Sequence, residues 1–369
     1  MTDPTPLDAS ERAALRGRPP RDPSGRRVPW RLEDRIVTDE EWEDEPFEIE
    51  ELTLARVTFE RFSWQTQGTF RKCKLEGVSF TDCSLAGLRF EDVVFDHCTI
   101  TGLEVARVAF VRCTFQESTM AGVSAVHAKL ERCAWSRGEA SRWSLDDCEV
   151  VETTFEDTRI AELRASKCTL GLSIVRGALL SADLTMCKGK ALEMDGASVK
   201  GVRARGLELD RLSLWGAVGG ELALAQSRLG ELSLSGCDGR TTLSLVACPV
   251  KTLKIDACPS VQSLMVRSSE VGAVHVSDST LFDATFDAVT VLGDASIESS
   301  SLRGLFFKGG SWPRLHLADV GLWNYLAVEG THFGALKLER VAEREPVRRR
   351  LEGDTYDRGS MTWRAGDGS

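Results

Sequence analysis

The sequence predicts an all-β chain wound into a solenoid between Leu52 and Leu338. Three observations predict it. An apolar residue recurs at every fifth position over more than a hundred residues, a column of smaller apolar residues runs two places before it, and the charges fall in the other three columns.

The main column starts at Phe70 and runs Leu75, Phe80, Leu85, Phe90, Phe95, Ile100 and onward to Leu180, with all 23 positions apolar. At 42% apolar content, chance gives such a frame about once in 10⁹. The small column runs Cys73, Val78, Cys83, Leu88, Val93, Cys98, Leu103, Val108, Cys113 and Ser118, and carries no charge through Ala178. Arg71, Lys72, Lys74, Glu76, Asp82, Arg89, Glu91 and Asp92 occupy the remaining columns. Each unit therefore points two side chains inward and three outward. A helix needs apolar positions at i, i+3, i+4 and i+7, and a flat strand needs uniform alternation. A two-residue inward step repeated every five residues is instead a short extended piece followed by a turn. Repeated turns wind the chain into coils, which must stack so that their backbone groups pair.

The same frame accounts for the cysteines. Cys73, Cys83, Cys98, Cys113, Cys133, Cys148 and Cys168 are separated by multiples of five, and no CxxC pair occurs. Zinc sites need ligands clustered within a few residues. A buried thiol packs as a small hydrophobe, so these cysteines are expected as core filler.

Segments such as Cys73-Lys74-Leu75-Glu76-Gly77, Cys83-Ser84-Leu85-Ala86-Gly87 and Cys113-Thr114-Phe115-Gln116-Glu117 resemble the repeats of the pentapeptide-repeat family. That resemblance implies a right-handed quadrilateral β-helix with four units per coil. The chain departs from the family where Asp or Asn commonly precedes the central residue: here Lys74, Ser79, Ser84, Arg89, Val94 and Thr99 stand there.

Beyond Leu180 the frame slips by one and loosens. Inward pairs continue as Ala182/Leu184, Leu192/Met194, Leu212/Leu214, Leu232/Leu234, Leu243/Leu245, Leu264/Val266, Ala284/Phe286, Leu305/Phe307 and Leu336/Leu338. Upstream, Leu52/Leu54, Val57/Phe59 and Phe62/Trp64 extend it. The run amounts to about 14 coils and about 65–70 Å of solenoid. Several later coils contain 21 residues, so bulges are expected at their corners.

Residues 1–51 are expected as a Pro/Arg-rich then acidic extension, largely disordered or capping. Asp39 to Glu51 holds nine acidic residues among thirteen, with Trp42 and Phe47 interleaved among Glu43, Asp44 and Glu45. Two readings apply to it: a cap over the first coil, since solenoid ends need covers, or a docking segment for a basic partner. Residues 339–369 are expected as a short helix from Glu343 to Glu352, with Pro346 in its first turn, followed by a tail carrying Tyr356, Met361 and Trp363.

No catalytic residue, cofactor site or metal site is expected. His97, His127, His275, His316 and His332 lack HxxxH, HExxH or Cys/His spacing, and no GxSxG or phosphate-binding loop occurs. No apolar run reaches membrane-span length and the N-terminus lacks the pattern of a signal peptide, so a cytoplasmic location is expected. Arg outnumbers Lys by 35 to 11, the composition of a GC-rich bacterial coding sequence.

Two functions are then weighed. The resemblance implies a binder of DNA gyrase or a related topoisomerase that imitates DNA, as in antibiotic self-protection. B-DNA carries about one charge per 1.7 Å. The repeats hold 34 acidic and 31 basic residues, a net of −3 within the chain's −10, and no acidic stripe. The favoured expectation is a non-catalytic protein-binding scaffold or adaptor in a bacterial multi-protein assembly, with no direct nucleic-acid binding. Phe306, Trp323 and Tyr325 fall outside the inward columns and are expected as an exposed aromatic cluster. Homodimerisation through that C-terminal end is a further expectation.

Overall fold

Five-residue periodicity becomes a four-sided coil because strands pair with strands twenty residues away. In the computed structural model, residues 5–16, 30–42, 46–343 and 348–352 are described. They fall into an N-terminal unit, Met1–Leu180, and a C-terminal unit, Ser181–Ser369.

In the N-terminal unit, three-residue strands such as Lys74–Glu76, Ser79–Thr81, Val94–Asp96 and Thr99–Thr101 each place their central residue inward. They pair in parallel with the next coil: Leu75 beside Phe95 beside Phe115 beside Trp135, and Phe80 beside Ile100 beside Met120. Twenty residues make four units, hence four sides. Aligned aromatic residues stack at the coil spacing. Phe95, Phe115, Trp135 and Phe155 form a column with ring centroids 4.4, 4.2 and 4.6 Å apart. Phe70, Phe90 and Phe110 form another at 5.1 Å. Offset stacks of this kind add about 0.5–1.5 kcal/mol per pair beyond area burial.

Each corner holds a residue in the left-handed region, including Lys72 (φ 52°), Asp82 (φ 51°), Asp92 (φ 56°), His97 (φ 51°) and Arg112 (φ 53°). That conformation costs about 1–2 kcal/mol for an L-residue. It is offset because the corner amide donates to the next coil, as Arg112 N does to Glu131 O (2.8 Å) and His97 N to Gln116 O (2.9 Å). Inside, the cysteines are all buried and unbridged. Their thiols donate to backbone carbonyls, as Cys113 does to Phe90 (3.3 Å) and Cys133 to Phe110 (3.3 Å). Burial pushes Cys73 and Cys98 up to about 11. They are core filler, as their spacing indicates.

The coils begin earlier than Leu52. Trp30–Glu33 pairs with Leu52–Ala55, Arg35–Thr38 with Thr58–Glu60, Trp42 aligns with Trp64, and Phe47–Glu50 pairs with Gly68–Arg71. The segment read as an acidic extension thus supplies strands of the first coil, with carboxylates outward and Leu32, Val37, Trp42 and Ile49 buried. The cover lies further upstream. Helix α1 (Ala9–Leu15) opens with a capping box in which the Asp8 carboxylate accepts from Ser10 N and Glu11 N, and it buries Ala14 and Leu15. Arg35 holds it to the coil through Glu11 (2.8 Å).

In the C-terminal unit strands lengthen to seven or more residues, such as Glu208–Trp215, Arg228–Ser235 and Val250–Asp256. Leu212 aligns with Leu232 at twenty residues, whereas Leu232 aligns with Leu253 and Leu243 with Leu264 at twenty-one. The extra residues appear as register shifts between Thr241 and Thr242 and between Leu302 and Gly304, the bulges expected of longer coils. Where a helix is expected from Glu343 to Glu352, the described residues are strands. Ala342–Glu343 pairs with Gly321–Leu322, and Arg348–Glu352 pairs with Tyr325–Glu329. An isolated ten-residue helix is marginal, and the open edge of strand Gly321–Glu329 offers a full set of backbone partners. The tail with Tyr356, Met361 and Trp363 lies outside the described residues.

Candidate interaction surfaces

Among the described residues no three His, Cys, Asp or Glu side chains converge as a metal ion would require. The histidines join surface contacts. His97 lies between Asp96 (2.7 Å) and Glu117 (2.8 Å), and the hydrogen bond it donates to the Asp96 carboxylate holds its pKa above the usual imidazole value. His127 meets Asp147 (2.9 Å), His316 meets Glu339 (3.3 Å) and His275 meets the Ser296 hydroxyl (3.3 Å).

Because corners stack one above another, the charges they carry meet from coil to coil. Arg56 bonds Asp34 (2.7 Å), Arg61 bonds Asp39 (2.5 Å), Arg112 bonds Asp92 (2.7 Å), Arg132 bonds Glu152 (2.9 Å) and Arg137 bonds Glu117 (2.9 Å). The Arg112 guanidinium holds Asp92 and Glu91 below the usual carboxylate range. Among the described residues of the acidic N-terminal segment, Glu40 pairs with Arg12 (2.9 Å), Glu48 with Arg71 (2.9 Å) and Glu50 with Lys72 (3.1 Å). Carboxylates bound edge to edge with guanidinium groups do not present the continuous negative potential of a phosphate backbone.

The residues expected to contact a partner separate into three groups. Trp42 is only 3% exposed, its ring edge-on to Phe62 (4.9 Å) and Trp64 (5.3 Å), and its indole N–H donates to Glu40 (2.8 Å). Phe47 stacks on Trp64 (5.4 Å). Both are packing residues of the first coil, because Trp42 continues the inward column above Trp64 and Phe47 folds across Gly68. Glu43, Asp44 and Glu45 lie outside the described residues, as does the Tyr325 side chain. Phe306 is half-buried with its ring against Gly304, and Trp323 is 37% exposed with its N–H donating to Ser301 (2.6 Å). The backbone alignment sets Tyr325 beside Gly304.

Other exposed apolar side chains of the C-terminal unit, Met186 and Leu292 among them, lie elsewhere, and periodicity did not point to them. Trp215 (61% exposed) and Val218 (54%) flank the corner at Gly216, stacked between Gly196 and Gly236. On another side, Val246 and Met265 are exposed. Beside Val246 is a shallow concavity of about 370 Å³, lined by Arg203, Arg205, Ala223, Ala225 and Ser244 among others. A signal for this surface exists in the sequence only once coils are aligned at 20 and 21 residues, which puts uncharged residues in one outward column.

Five-residue units, four to a coil, each with a small residue and a large apolar residue turned inward, set the register of the N-terminal unit and continue as 20- and 21-residue coils in the C-terminal one. The fold is a parallel β-solenoid built from five-residue repeats. No protein-family model and no curated protein sequence matches it. Among solved structures, the chain is similar to HetL, a pentapeptide repeat protein involved in heterocyst differentiation regulation from the cyanobacterium Nostoc sp. strain PCC 7120. The identity is 14%, 63% of this chain and 90% of HetL are covered, and the TM-score is 0.32. It is also similar to QnrB1, a plasmid-mediated fluoroquinolone resistance protein, at 13% identity over 56% of this chain and 89% of that one, with a TM-score of 0.20. No helix among the described residues is long and apolar enough to cross a membrane.

Proposed function

We propose that this chain is a pentapeptide-repeat protein, a non-catalytic scaffold that binds a protein partner through side-chain faces of its coils. The observation that carries this reading is the disposition of charge. Corner carboxylates are matched by Arg and Lys from adjacent coils, while the C-terminal unit leaves Trp215, Val218, Val246 and Met265 exposed. Exposed aromatic and Met side chains on a rigid sheet are what protein interfaces favour. Imitation of DNA needs the opposite, unpaired negative charge laid out at regular intervals.

The test is a gyrase supercoiling assay with the purified full-length chain, with and without a fluoroquinolone. The scaffold reading expects unchanged supercoiling and unchanged drug sensitivity; inhibition or drug protection at stoichiometric concentrations overturns it. Homodimerisation through the C-terminal end belongs to the same reading. Sedimentation equilibrium tests it, with a dimer expected and a monomer throughout the micromolar range counting against it.

A further inference from the structure

We propose that the face of the C-terminal unit from Arg203 to Phe306 is a docking strip for an extended protein segment, acidic at one end and apolar along the rest. The inference rests on the protein-binding reading and names the surface and the chemistry of the partner.

Parallel register aligns Arg203, Ala223, Ser244, Met265, Thr285 and Phe306 in one outward column. From Ala223 to Phe306 that column carries no charge. Five coil steps at about 4.8 Å give about 24 Å, the reach of about seven extended residues. The strip is therefore long enough for a peptide segment.

Its two ends differ. At one end Arg203 and Arg205, with Asp183 aligned beside Arg203, line a concavity of about 370 Å³ together with the small side chains of Ala223 and Ala225. Arg203 reaches Glu221 only at 3.5 Å with its side chain 71% exposed, and Arg205 donates to the neutral Gln226 amide (2.9 Å). A partner carboxylate can thus take a second edge of either guanidinium, as planar Arg groups favour. Further along, Met265 offers an unbranched side chain that adapts to varied apolar partners. The flanking charge beside Met265 is already matched, since Arg267 bonds Asp287 at 2.8 Å. A nucleic acid would find two guanidinium groups and then an uncharged strip, which suits a phosphate chain poorly.

The test uses the full-length chain in its native cell, with the photoreactive residue p-benzoyl-phenylalanine at position 223 or 246. The same residue at 119 or 235, in other outward columns, serves as control. After irradiation the cross-linked segment is sequenced by mass spectrometry. The expected result is an adduct at 223 and 246 but not at 119 or 235, with a segment holding Asp or Glu beside apolar residues. A synthetic copy of that segment should bind the purified chain at least tenfold more weakly after R203E/R205E, with the circular dichroism spectrum unchanged. Reversing the segment's carboxylates to Lys should restore binding to that variant. Adducts confined to the control positions overturn the strip while leaving the scaffold reading intact. A basic or uncharged segment, or indifference to R203E/R205E, also overturns the strip alone. Absence of protein adducts at all four positions counts against both.

Discussion

Removing one ring from the aromatic column of the N-terminal unit should produce a loss of stability that can be sized in advance. Phe115 is 1% exposed and lies between Phe95 (4.4 Å, planes 9° apart) and Trp135 (4.2 Å, planes 4° apart). Phe115→Ala removes the ring, leaves a cavity that stacked coils on both sides cannot close, and should cost about 3–5 kcal/mol. Phe115→Leu keeps most of the volume but loses two stacked contacts worth about 0.5–1.5 kcal/mol each, so a loss of about 1–3 kcal/mol is expected. Thr119→Ala, an exposed outward change in the next unit, should stay within about 0.5 kcal/mol of the parent. Urea unfolding followed by tryptophan emission and by far-ultraviolet circular dichroism measures all three. Trp135, in contact with the substituted ring, reports the local event. A loss below about 1 kcal/mol for Phe115→Ala would refute the reasoning, because the column would then not be a packed core.

Further outcomes follow from particular residues. Trp42→Ala should destabilise the N-terminal unit by about 3–5 kcal/mol in the same assay, whereas a surface docking residue would leave stability unchanged. Gly310 has φ 91°, and a Cβ there would overlap the Val289 carbonyl oxygen; Gly310→Ala should lower the melting temperature, with a cost above about 1 kcal/mol. Gly201, with open space around its Cβ position, should accept Ala without loss. The pH dependence has a definite sign in two windows. Glu91 and Asp92 are held below their ordinary values of 4.5 and 3.8, so their stabilising contribution is full above those values and lost as pH falls through the depressed native ones. His97 is held above its ordinary 6.5, so its contribution is full below 6.5 and lost as pH rises through the native value. Melting curves from pH 3 to 8 should show both slopes, and His97→Gln should remove the upper one.

The regular part of the fold was legible because its inward positions are nearly all apolar, so the frame from Phe70 holds to Leu170. Beyond it the register shortens by one residue, and Ile174 and Leu179 are buried in place of the Val175 and Leu180 that the sequence frame puts inward. The first coil was obscured by its own surface. Leu32, Val37, Trp42, Phe47, Leu52, Val57 and Phe62 form an unbroken five-residue series, yet the carboxylates between them read as an acidic extension until their partners in the next coil, such as Arg61 and Lys72, were in place. The segment from Glu343 to Glu352 has good helix formers, and local propensity gave way to an available strand edge, a contact distant in sequence. The docking strip was illegible for a geometric reason. One-residue insertions shift which residues line up, so Ala223, Ser244 and Met265 share a column only after the 21-residue register is known.

The account's central claim, that the coils bind protein through an uncharged face instead of imitating DNA, is tested most directly by the salt dependence of the affinity for the cross-linked partner. Measured by surface plasmon resonance between 50 and 200 mM salt, the affinity should fall less than about tenfold, since few ion pairs form and surface pairs contribute little. A fall of about 10³-fold or more over that range, as for a protein that grips a phosphate backbone, would contradict it.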